Sequence, residues 1–213
     1  MDRFSFIFGF YALILGLAVT ELLGGFANFA HRHKFRELGV PTALLALVVF
    51  SYICATWLDA WRSLRNAELN FASLLAPILT ATFYYLAAAM VFPRGDRASE
   101  GIDVYFAKRK SFVAAMLLGA EICFTYQAID YYRSDFTSRP AVFWYWDIPF
   151  KVLLLSGFAA MTWSKRRAAA IAAMLFLLLL LVIPYWTHGG IQAWIHHQFD
   201  PPVADQGHPA GPQ

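Results

Sequence analysis

Residues 4–30 read FSFIFGFYALILGLAVTELLGGFANFA and run into His31-Arg32-His33-Lys34. At about 1.5 Å per residue this stretch crosses a hydrocarbon core about 30 Å thick. It ends on a basic cluster of the kind that marks a membrane boundary. Met1-Asp2-Arg3 is barely basic and the apolar run is long, so the segment reads as a span and not as a cleaved leader. Five further apolar runs repeat the pattern, at about 40–61, 69–92, 112–132, 141–163 and 168–186.

The composition agrees. Of 213 residues, 59% are apolar and 15% charged, against about 25% charged in soluble domains. Mean hydropathy is +0.50. This excludes a disordered chain and a nucleic-acid-binding domain, and it argues against a water-soluble enzyme. The expected fold is an all-α integral membrane protein, a bundle of six transmembrane helices within residues 1–188. Beyond it, Ile191, Trp194, Ile195 and Phe199 share one helical face, which predicts a short amphipathic interfacial helix over 189–200. The Pro- and Gly-rich segment 201–213 is expected to be disordered.

Loop charges set a direction. Eleven of the 17 basic residues fall in the connections after spans one, three and five. Both termini are therefore expected outside, in an inner (plasma) membrane of bacterial type. The longest connection, Pro93 to Lys110, reads as a solvated loop whose Lys108, Arg109 and Lys110 meet lipid headgroups. Trp57, Trp61, Tyr132 and Trp186 fall near the outer boundary, as an aromatic belt does. Trp144 and Trp146, with Asp59 and Asp130 at the outer ends of spans two and four, are candidates for an outer vestibule.

The small residues Ala12, Gly16, Thr20 and Gly24 recur every four positions in span one. They form a stripe suited to close helix packing, within one protomer or between two. Cys54 and Cys123 lie in apolar runs and read as small hydrophobes. None of the six histidines lies in the middle of a span, so neither a metal nor haem is expected, and no cofactor motif is present.

Charges at membrane depth are the informative residues, because each is costly unless paired, wetted or useful. Glu121 falls about ten residues into span four, near the bilayer midplane, with Thr125 one turn away as a hydrogen-bond partner. Glu21 lies in span one. Asp147 and Lys151 are four apart in span five and can pair on one helical face. Glu21, Glu121, Asp147 and Lys151 are the candidate ion- or proton-binding residues. Leu17-Ala18-Val19-Thr20-Glu21 and Leu117-Leu118-Gly119-Ala120-Glu121 match at an offset of 100, as the halves of an inverted repeat would. Pro77, Pro149 and Pro184 are expected to kink their helices.

Two function classes follow. One is a small transporter or ion- or proton-conducting protein built on the intramembrane carboxylates. The other is a non-transporting scaffold or accessory subunit, joined through the small-residue stripe to a second copy or to a partner membrane protein. Polar locks between helices would explain the same charges without transport. Catalysis lacks a legible nucleophile or metal set.

Overall fold

The structure, a computed structural model, describes residues 3–32, 39–63, 71–93, 101–186 and Ile195. Among them every regular element is a helix: α1 (Arg3–Arg32), α2 (Val40–Ser63), α3 (Phe71–Ala89), α4 (Ile102–Gln127), α5 (Ile129–Ser138), α6 (Pro140–Val142), a π turn (Phe143–Asp147), α7 (Ile148–Trp163) and α8 (Arg167–Trp186). The stretches Ser5–His31 and Val40–Trp61 are long and apolar enough to cross a membrane, by length and composition. Leu74–Ala89 and Arg167–Ile183 are shorter apolar helices.

Each long helix packs along two neighbours, and the order α1, α3, α4, α7, α8, α2 closes back on α1. α2 also reaches across to α4. Helical phase decides what lies inside. On α1 the buried residues are Ile7, Tyr11, Leu15, Ala18 and Leu22, while Phe6, Phe10, Leu13 and Leu17 face out. On α8, Met174 and Leu177 are buried, while Leu175, Leu179 and Val182 face out. These helices are apolar on both faces, a pattern that suits lipid on the outside better than water. α7 and α8 approach closely at Gly157, where a Cβ would lie 2.7 Å from Leu177 Cδ2. Only glycine allows that approach without a shift.

The connection between α3 and α4 is shorter than expected. α4 begins at Ile102, after Gly101 at φ +80°, so Lys108 to Lys110 are helical and not part of a loop. Their charge hid a helical rhythm in which Tyr105, Phe106 and Lys110 turn inward. The Tyr105 hydroxyl donates to the Met90 carbonyl just past the end of α3 (3.2 Å). Lys110 Nζ donates to the carbonyl of Ser164, and Ser111 Oγ to that of Thr162 (2.8 Å). These two bonds close the carboxyl end of α7, where carbonyls lack helical donors and a cation is favoured. Arg167 adds an exposed ion pair to Asp103 (2.9 Å).

Three expectations resolve differently from the sequence reading. Of the two placements open to the stripe Ala12, Gly16, Thr20 and Gly24, the described residues supply no tight seam within the chain. Ala12 and Gly16 are half-buried, Thr20 and Gly24 are exposed, and a Cβ at Gly16 or Gly24 would meet nothing within 4 Å. The expected fourth span, 112–132, is broken at Ala128 (φ −90°, ψ 12°), where α4 gives way to α5. The inverted repeat does not extend to packing: α1 lies along α3, but α4 does not lie comparably along α8, the counterpart of α3. Of the expected interfacial helix, Ile195 alone is described. It is helical, and it packs on Ala141 and Val142 beside Trp146. The rest of 189–200, and the segment 201–213, lie outside the described residues.

Candidate functional site

Glu121 is in phase with the buried residues Leu117 and Phe124 on α4, and it is only 4% exposed. Its carboxylate forms an ion pair with Lys151 Nζ from α7, across the packed α4–α7 interface. The ammonium also stands 5.5 Å from the centre of the Phe124 ring and 5.8 Å from that of Tyr132. Both distances suit cation–π attraction, which strengthens as water is excluded. Tyr132 arrives because the chain turns at Ala128 and resumes as α5.

The segment before Lys151 is a π turn. The Ile148 N–H donates to the Phe143 carbonyl, five residues back. Pro149 supplies the reason. It has no N–H for the Tyr145 carbonyl, and its ring presses on that carbonyl, so the helix widens by one residue. Asp147 is thereby buried, and Trp144 and Tyr145 point out. Trp146 is half-buried and stacks on Phe150 (5.9 Å, 14°).

The expected pairing of Asp147 with Lys151 gives way to the pair with Glu121. Asp147 lies one turn before Lys151 and is buried. Thr125 does not reach the Glu121 carboxylate either: its hydroxyl donates to the Glu121 backbone carbonyl (2.8 Å). Glu21 stands apart. It is half-buried on α1, and α1 is not one of the two helices that form the pair. Asp59 is half-buried near the end of α2. The Asp130 side chain lies outside the described residues.

Three further tyrosines, Tyr11, Tyr52 and Tyr84, are buried in the same core, and the sequence reading did not single them out. Tyr52 donates to the Leu177 carbonyl (3.0 Å), and Tyr84 shares a hydrogen bond with Thr56 (2.7 Å). The Tyr11 hydroxyl has no hydrogen-bond partner among the described residues. A legible signal existed: these tyrosines fall in the interior of apolar runs, not at the boundary where an aromatic belt lies.

The arrangement is a buried carboxylate balanced by one ammonium, with the rings of Phe124 and Tyr132 beside the ammonium and the buried Asp147 one helical turn before it. Such a set can store a proton, exchange a counter-ion, or lock two helices together. Compared with known proteins, the chain matches no family model, no curated protein and no solved structure.

Proposed function

We propose that this is a small six-span membrane protein that conducts or couples protons or cations through Glu121, with both termini outside. The Glu121–Lys151 pair carries the proposal. An ion pair inside an apolar helical packing is expensive, and like-sized apolar residues often hold helices together as well. In this reading Glu121 takes up a proton and releases Lys151. The ammonium then turns to Asp147, one helical turn back, and that exchange between two carboxylates is the moving part. Helices that are apolar outside as well as inside support the membrane setting, as do the basic residues gathered where α4 begins and α7 ends.

The test is flux into proteoliposomes under an imposed potassium-diffusion potential, followed by internal pH. Glu121→Gln is expected to abolish flux while the protein still inserts, and Glu21→Gln to retain it. Flux that persists in Glu121→Gln removes the site from the mechanism.

One observation favours a second reading. The stripe of Ala12, Gly16, Thr20 and Gly24 opens outward, as it would in an accessory subunit that packs against another membrane helix. No flux in wild type, together with a stable complex that Gly16→Leu disrupts, would establish that reading instead.

A further inference from the structure

The Lys151 ammonium sits in a cage. One wall is the Glu121 carboxylate, which it meets in an ion pair. Two more are the rings of Phe124 and Tyr132, whose centres stand 5.5 and 5.8 Å from Nζ. A carboxylate and aromatic faces around one cationic nitrogen are recognition chemistry for an ammonium ion. All three walls come from one stretch of chain. Glu121 and Phe124 are three apart on α4, and Tyr132 follows the break at Ala128. The occupant comes from a different helix, α7. The walls therefore do not depend on the lysine that fills them.

That lysine has a second place to go. Asp147 precedes it by four residues, and the Asp147 backbone is already helical (φ −64°, ψ −48°), so the two side chains share one face. Asp147 is buried, at 7% exposure. Nor is the ion pair sealed in. The Lys151 side chain is 17% exposed, against 5% for that of Glu121, and Tyr132 is half-buried.

The walls select the ligand. Calcium or magnesium takes about six or more oxygen ligands, whereas the cage presents one carboxylate and two ring faces. Among the described residues, no three Asp, Glu, His or Cys side chains come together to hold a metal. A protonated primary amine matches both kinds of wall: its N–H groups donate to the carboxylate, and its charge lies over the rings. Lys151 is such an amine, tethered by its own stem.

We propose that Glu121, Phe124 and Tyr132 form a binding site for a primary alkylammonium ion, and that Lys151 is the tethered stand-in that leaves for Asp147 when the ligand enters. The inference rests on the cation-binding reading of Glu121 given above, and it names the cation. Charge balances in the exchange: one ammonium replaces another at Glu121, and Lys151 carries its own charge to Asp147. The tether makes Lys151 a competitor at an effective concentration of about millimolar, so the free ligand binds wild type weakly.

The experiment is equilibrium binding of radiolabelled n-butylammonium, the free counterpart of the lysine side chain, to the full chain in lipid nanodiscs, with empty nanodiscs as background. Wild type is expected to bind it. Lys151→Ala vacates the cage and is expected to bind about tenfold more tightly or better, with a melting temperature that rises as ligand is added. Glu121→Gln is expected to lose binding, and Phe124→Leu to weaken it several-fold. Tyr126→Leu, on the outward face of α4, is expected to change nothing. Tetramethylammonium has no N–H for Glu121 and is expected to bind about tenfold more weakly. No binding by wild type overturns the exchange, and binding by Lys151→Ala alone would make Lys151 a permanent plug. Wild-type binding that is unchanged in Phe124→Leu and Glu121→Gln overturns the site, and that arm holds even if Lys151→Ala fails to fold. Binding in a protein that shows no flux upholds the cage and removes conduction. Flux that depends on Glu121, with no butylammonium bound, overturns the cage and leaves the conduction reading standing.

Discussion

Glu21 and Glu121 follow similar apolar stretches, 100 residues apart, yet one is half-buried on the flank of α1 and the other is buried against Lys151. The difference is phase. At about 100° per residue, Glu21 falls roughly 80° from the centre of the buried face of α1, and Glu121 roughly 40° from that of α4. Glu121 is followed one turn later by the buried Phe124, whose ring lies beside the Lys151 ammonium, whereas Glu21 is followed by Gly24 and Gly25. Two carboxylates in like local sequence therefore have different surroundings. Depth along a helix says that a charge is costly, and phase says which helix it must face.

The largest expected effect separates these two residues. Lys151→Met leaves Glu121 buried without its counter-ion, and Glu121→Gln does the same to Lys151. Each single change should cost about 3–5 kcal/mol, while the double variant recovers most of the loss, because removing both charges removes the burial cost as well. Glu21→Gln should stay within about 0.5 kcal/mol. Denaturation of purified protein in one detergent would read all four. A loss in Glu21→Gln equal to that in Glu121→Gln would break the comparison.

The glycines divide in the same way. Gly157→Ala places a methyl group 2.7 Å from Leu177 Cδ2 and 3.1 Å from its Cγ, in a packed interface where overfilling costs about 1–3 kcal/mol. Gly16→Ala and Gly24→Ala meet nothing within 4 Å. On the chain alone they should be neutral, or slightly stabilising through helix propensity. A melting-temperature series over the three variants checks this. Loss of stability at Gly16 or Gly24 that appears only at high protein concentration would show a second copy on that stripe.

Much of this was legible from residues. Glu121, Lys151 and Asp147 stand out because charge is rare in apolar runs, and the helix positions follow from the runs themselves. What was not legible is which acid Lys151 would choose. Spacing along one helix favours Asp147, since an i,i+4 pair is the local option, and the choice of Glu121 depends on α4 packing against α7. The π turn has a local cause in Pro149, but a proline inside a helix predicts a distortion without specifying its kind. The first turns of α4 were hidden because Lys108 to Lys110 look like a loop on composition, although their helical period continues. The buried tyrosines were obscured by the usual preference of that residue for interfaces.

The smallest effect compares two hydroxyls. Thr20 Oγ1 donates to the Gly16 carbonyl within α1 (2.9 Å), which as a mid-helix acceptor already has an N–H donor in its own helix. Ser111 Oγ donates to the Thr162 carbonyl, in the last turn of α7, where the helix supplies no donor. Loss of the first bond leaves nothing unsatisfied, and loss of the second strands a half-buried acceptor. Thr20→Ala should therefore change stability by less than about 0.5 kcal/mol, and Ser111→Ala should lower it by about 1 kcal/mol. Hydrogen exchange would locate the effect of Ser111→Ala at the end of α7. If Ser111→Ala is as mild as Thr20→Ala, Lys110 on the neighbouring Ser164 carbonyl is sufficient by itself to close that end. The α4–α7 interface would then depend on its two lysines, Lys110 at one end and Lys151 at the other.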